Sequence, residues 1–99
     1  MLHTDVSGAG MELVLVHGWG MHGGIWTDWA AELGRWFHVT AVDLPGHGNS
    51  EWSGQIELLD WAQAVQDAVP ENAWWVGWSL GGLVTLAAAA QDSARMRGM

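Results

Sequence analysis

The chain has 99 residues and a formal net charge of −8, with three Arg and no Lys, a balance that excludes the clustered cations needed to bind a phosphate backbone and argues against electrostatic docking on anionic membranes. It has no Cys, hence no disulfide framework and no thiolate metal site, and its His residues lack ligand spacing, so no metal is expected. No apolar run approaches the roughly 20 residues of a membrane span and Met1 to Val6 lacks the basic, apolar character of a leader, so the expectation is a cytoplasmic protein of one small domain, residues 1–99, with neither nucleic-acid nor membrane partners.

In chain order, residues 2–6 read as a short first strand, followed by a turn at Ser7-Gly8-Ala9-Gly10. Residues 12–17 are the first strong strand. Leu13-Val14-Leu15-Val16 is a continuous apolar run, as suits a strand covered on both faces of a parallel sheet. A helix is expected over 25–33, with Trp26, Trp29, Ala30 and Leu33 at i, i+3, i+4 and i+7 and Gly34 ending it. Phe37 to Asp43 is a β-branched strand, and 44–53 is a loop containing Pro45-Gly46-His47-Gly48-Asn49-Ser50. A second helix spans about 55–69 with Leu58, Ala62, Val65 and Val69 on one face. Pro70 closes it, because the residue before Pro avoids helical backbone. Ala73-Trp74-Trp75-Val76 reads as a short buried strand at 73–77, and a third helix runs over about 80–92.

The alternation is that of a parallel sheet with crossover helices. If the 13–17 strand lies between those at 37–43 and 73–77, the strand order reverses there. Ligands bind at such points, outside the carboxyl ends of the strands. Two loops leave from those ends: Gly-rich His17-Gly18-Trp19-Gly20, and Gly77-Trp78-Ser79-Leu80-Gly81.

The second loop matches G-x-S-x-G on a strand-to-helix turn, the pattern of a nucleophile elbow. Crowding in so tight a turn admits only small residues two positions either side of the Ser, and Gly77 and Gly81, with Gly82 beside them, meet that demand. Ser79 would stand at a helix N-terminus, where amides favour a developing negative charge. The plain alternative is a Gly-rich turn with an idle Ser; the strand before it, the helix after it and the matching upstream loop weigh against that. Nine Trp are most simply core and pocket-wall packing, except Trp19 and Trp78, whose motif positions set them beside the candidate site.

These loops, with Val42-Asp43-Leu44-Pro45-Gly46-His47-Gly48-Asn49-Ser50 between them, resemble the α/β-hydrolase family in order and spacing, from about residue 11 to the end. The resemblance implies the N-terminal half of an α/β-hydrolase fold, a mostly parallel sheet with flanking helices. Within the family, the pairing of His17-Gly18-Trp19-Gly20 with Gly77 to Gly82 is most similar to the pimeloyl-acyl-carrier-protein methyl ester esterases of biotin synthesis. That implies a serine carboxylesterase that frees the carboxylate of a methyl-masked pimeloyl chain, with a small acyl ester as substrate, acyl-carrier protein as its carrier and no cofactor.

The resemblance makes Ser79 the nucleophile, the N–H groups of Trp19 and Leu80 the oxyanion donors, and the indoles of Trp19 and Trp78 an acyl-binding wall. It makes His17 a loop-orienting residue, and Asp43 and His47 shapers of their own loop. Other Ser-dependent chemistries on this fold stay open: thioesterase, perhydrolase, C–C bond hydrolase and aminopeptidase. Relatives with an Asp nucleophile are disfavoured by Ser at position 79. A non-catalytic binding remnant is the reading from another class.

The pattern fails after the nucleophile. The family order is Ser, then Asp or Glu, then His, yet the only acid beyond Ser79 is Asp92 and no His follows. The expectation is therefore a truncated chain, without the second half of the sheet and the lid, that folds poorly and is inactive alone. Residues 94–99 depart from the family's usual continuation, and the 73–77 strand would be an open edge. The acidity also runs against docking an acidic acyl-carrier protein.

Overall fold

The apolar run at 13–16 becomes the middle of a five-stranded sheet in the computed structural model of the chain, which describes residues 1–52, 54 and 57–99. Strand β1 is Thr4–Gly8, β2 is Met11–Val16, β3 is Phe37–Val42, β4 is Ala73–Gly77 and β5 is Met96–Gly98. Their order is β1-β3-β2-β4-β5. Strand β2 runs parallel to β3 from Met11↔Phe37 to Val16↔Val42, and parallel to β4 from Leu13↔Trp74 to Val16↔Gly77. β2 lies between β3 and β4, so the strand order reverses there. β1 is antiparallel to β3.

Helix α1, Thr27–Leu33, covers one face; α2, Leu58–Ala68, and α3, Leu80–Asp92, cover the other. The α2/α3 side holds the larger core. Val14, Val16, Val42, Val65 and Val84 are wholly buried there, and burying a side chain of this size is worth roughly 1.5–3 kcal/mol. Leu13, Leu15, Val39 and Ala41 meet Trp26, Ala30 and Leu33 on the α1 side. Among the described residues no helix is long and apolar enough to cross a membrane.

Several expectations change. The first strand lies at Thr4–Gly8, because pairing with β3 continues to Gly8↔His38 and consumes half of the expected turn. The 25–33 helix opens as a 3-10 turn, Gly23–Trp26, and is α-helical only from Thr27. So short a helix buries a narrow stripe, and Trp29 is left 66% exposed. In α2 the buried residues are Trp61, Ala62, Val65 and Gln66, whereas Leu58 is exposed. Residues 55 and 56 of the expected helix, and Ser53 of the expected loop, lie outside the described residues. Val69 is extended before Pro70, as the clash with the proline ring requires.

Strand β4 is not buried on both faces. Ala73 and Trp75 enter the core, while Trp74 and Val76 point to the side that α1 does not reach. Nor is its edge fully open. β5 pairs with it at Ala73↔Met96 and Trp74↔Gly98, and the tail is pinned to α2 where Arg95 Nη2 donates to the Gln66 carbonyl at 3.0 Å. The pairing stops at Trp74, so the upper half of β4 has no partner strand on that side among the described residues.

Candidate active site

Because β2, β3 and β4 are parallel, their carboxyl ends emerge on one edge of the sheet, and three loops meet above it. The Trp78 amide donates to Val16 O at 2.9 Å, tying the turn after β4 to the end of β2. Ser79 follows at φ 54°, ψ −113° and is exposed. That backbone is sparsely populated by L-residues and costs of order 1–3 kcal/mol.

Small residues make the turn possible. A Cβ on Gly77 would run into the Gly81 backbone, and one on Gly81 into the carbonyls of Val16 and His17. A Cβ on Gly18 would lie 3.1 Å from Trp78 Cδ1 and 3.4 Å from Ser79 Cβ, so the 17–20 loop sits directly against Ser79. The third and fourth amides of α3, Gly82 and Leu83, donate to the Ser79 carbonyl at 2.9 and 3.2 Å. Among the described residues, the amides of Trp19 and Leu80 and the Ser79 hydroxyl have no hydrogen-bond partner within the chain.

The other two loops are held by buried polar side chains. Asp43, at the end of β3, accepts from the Gly23 amide at 2.6 Å and the Asn49 amide at 2.9 Å. Its carbonyl accepts from Ser50 Oγ at 2.6 Å. His17 is wholly buried. Its Nδ1–H donates to Gly18 O at 2.7 Å and its Nε2 accepts from the Leu44 amide at 3.0 Å. Burial is the main cause that holds this imidazole below its ordinary value of 6.5, with the nearby His47 adding to it and the Gly18 carbonyl opposing it. His22 caps the 3-10 turn, accepting from the Gly24 amide at Nδ1. Each of these imidazoles is thus committed to backbone.

Trp19 is 71% exposed but not loose. Its ring stacks on Trp61 of α2 at 6.3 Å and meets His47 edge-on at 5.2 Å. Trp52 meets Trp61 edge-on at 6.1 Å. A cleft of about 290 Å³ lies among Trp19, Pro45, His47, Trp52 and Trp61. A smaller one, about 200 Å³, is walled by Trp19, Leu58, Trp61 and Leu80. A third, about 490 Å³, opens at the sheet edge between β4 and α3, with Ser79 at its mouth. Trp78 rests on Gly18 and is 58% exposed, but it lines none of the three. The apolar wall beside the two free amides is therefore Trp19 with Trp61, Leu58 and Leu80. Sequence reasoning passed over Trp61; its place four residues before Val65 on the same helix stripe was the available signal. Among the described residues no group of three or more His, Asp or Glu could hold a metal ion.

The family model for the alpha/beta hydrolase family matches residues 13–98, so all but the last residue of the tail set apart in the sequence lies within the match. The chain is 53% identical over 88 residues to the pimeloyl-[acyl-carrier protein] methyl ester esterase of Methylococcus capsulatus, covering 89% of this chain and 35% of that protein. It is 50% identical over 92 residues to the esterase of the same name from Vibrio cholerae, covering 93% and 36%. A solved hydrolase from Pseudomonas aeruginosa PA01 superposes with a TM-score of 0.90 at 27% identity, over 96% of this chain and 38% of that one. The chain spans about a third of the length of the curated relatives it matches. By its strand order, its three converging loops and the extent of this match, the chain belongs to the α/β hydrolase family.

Proposed function

We propose that the chain carries the nucleophile and oxyanion half of a cytoplasmic serine carboxylesterase acting on a pimeloyl-type methyl ester. Ser79 Oγ attacks the ester carbonyl carbon, and the amides of Trp19 and Leu80 receive the charge on its oxygen. Each such donor is typically worth roughly 3–4 kcal/mol of transition-state stabilisation. The observation that carries the reading is the exposed Ser79 at φ 54°, ψ −113°, a strained turn with glycines crowded on both sides and Gly18 packed against it. The names of the relatives support the substrate and the acyl-carrier protein as its carrier. The apolar cleft walled by Trp19, Trp61, Leu58 and Leu80 suits the methylenes of an acyl chain.

A Ser hydroxyl needs a base, and the His residues at this edge are occupied by backbone. His3 pairs with Asp5, and His38 with Glu12 toward the other end of the sheet. The 99 residues alone are therefore expected to hydrolyse a p-nitrophenyl acyl ester at close to the background rate, with or without Ser79→Ala. Mixing them with the portion of the Methylococcus esterase that the chain does not match should restore turnover, and Ser79→Ala should abolish it. Restored turnover that survives Ser79→Ala would overturn the assignment of the nucleophile; brisk turnover by the chain alone would overturn the need for an external base.

A further inference from the structure

We propose that His47 is the positioning residue for the turn that presents the Trp19 amide, and that it holds the turn only while its ring is neutral. The inference rests on the oxyanion role given above to Trp19. Gly20 N–H donates to His47 Nε2 at 3.0 Å, and His47 Nδ1 meets the Pro45 carbonyl at 3.0 Å. These partners fix the tautomer. A carbonyl only accepts, so Nδ1 carries the proton; an amide N–H only donates, so Nε2 is bare. An imidazolium has two donors and no acceptor, and protonation therefore breaks the bond to Gly20.

The bond joins residues 27 apart in sequence, linking the loop after β2 to the loop after β3. It falls one residue past Trp19, at a turn where Gly20 takes φ +75°. The Trp19 ring also lies edge-on to His47 at 5.2 Å, and Trp61 backs the imidazole at 5.9 Å. One ring thus fixes Trp19 through the next residue's amide and through its indole.

The titratable groups that face His47 are already committed. From the 17–20 side it meets His17, 5.2 Å between ring centroids, whose nitrogens are both bonded to backbone. At the start of its own loop the charged group is Asp43, whose oxygens accept from Gly23 and Asn49 and whose charge acts on His17. The neighbours from α2 and the segment before it, Trp61 and Trp52, carry no charge. With both of its nitrogens bonded, His17 cannot replace His47 as acceptor for Gly20.

The test is nitrogen-resolved NMR of the 99-residue chain across a pH titration, following the His47 ring nitrogens and the Gly20 amide. While the ring is neutral, Nε2 should report an unprotonated, hydrogen-bonded nitrogen, and Gly20 should exchange with solvent slowly. On acidification the Gly20 shift should follow the same midpoint as the His47 ring, and its exchange protection should fall roughly three- to tenfold, the worth of one net hydrogen bond. His47→Gln, whose carbonyl oxygen can reach the Gly20 amide, should keep the protection and lose the pH dependence. His47→Phe should lose the protection at every pH. A Gly20 shift that ignores the ring's titration, or a titration that persists in His47→Gln, overturns the proposal. The wild-type titration decides the matter even where a variant fails to fold. The same spectra of Ser79→Ala separate this inference from the esterase reading: the coupling of Gly20 to His47 should persist there, whatever the ester assays return.

Discussion

Ser79 is the one residue at this edge whose backbone sits where an L-side chain is penalised and a glycine is not. Asn72 is the only other positive-φ non-glycine among the described residues, and it lies in the turn before β4. Replacing Ser79 by Gly should relieve the strain, less the larger chain entropy that Gly must surrender. The expected gain over Ser79→Ala, which keeps the strain, is about 1 kcal/mol. Urea unfolding with an unchanged m-value reads it directly; equal midpoints for the two variants would remove the case for a strained elbow. Gly81→Ala should act in the opposite sense. Its Cβ would enter the carbonyls of Val16 and His17, which belong to the end of β2 and cannot yield cheaply, so a loss of about 1–3 kcal/mol is expected as a lower urea midpoint. The need for Gly at 77 and 81 is legible in the spacing around Ser79. Which atoms impose it is not, because for Gly81 they come from a strand more than sixty positions upstream.

The ends of β2 and β3 are joined by two buried polar side chains, and this sets a pH dependence. His17 bridges Gly18 to Leu44 as a neutral ring, and its folded-state value is lowered from 6.5. In the window between that lowered value and 6.5 the unfolded chain binds a proton that the folded chain refuses, so the unfolded state holds more protons. Stability therefore rises with pH across the window and falls as pH drops below 6.5, by at most about 1.4 kcal/mol per pH unit from this one group. Urea unfolding at a series of pH values should show that slope, and His17→Gln should be less stable near neutrality but flatter through the same window. An equal slope in both chains would assign the effect elsewhere.

What the sequence disclosed at this scale follows from periodicity. β2 and β3 were legible because both faces of each are covered where the apolar runs fall, and α3 because it follows directly from the elbow. β4 misled because Trp74 and Val76 are apolar yet face no helix, and hydrophobicity alone cannot say which face has a partner. α1 misled because Trp29 keeps helical spacing on a helix too short to bury it. Trp61, His47 and Asp43 were visible as residues, but their contacts to Trp19, Gly20 and Gly23 join segments 20 or more positions apart, and no local pattern encodes that.

At the scale of the whole molecule, charge and surface oppose each other. The net charge of −8 repels copies of the chain at low ionic strength. Yet Val76, Leu83, Leu86 and Met99 are all exposed around the roughly 490 Å³ cleft at the sheet edge, next to the half of β4 that β5 leaves without a partner strand. Contiguous apolar surface beside unpaired strand is what drives association of compact chains. The charge acts over a Debye length, about 10 Å at 0.1 M salt and shorter above it, whereas apolar contact is not weakened by screening. Added salt should therefore promote self-association, the reverse of what a charge-driven contact would do. Sedimentation velocity at micromolar concentration is the measurement. The wild-type chain should move to larger species as salt rises, and Val76→Lys with Leu86→Lys should keep it monomeric over the same range, since neither side chain is in the core and both positions face the cleft. A wild-type chain that stays monomeric at every salt concentration would mean that β5 and the tail already shield this edge, and that the cleft beside Ser79 is a finished surface of the 99 residues.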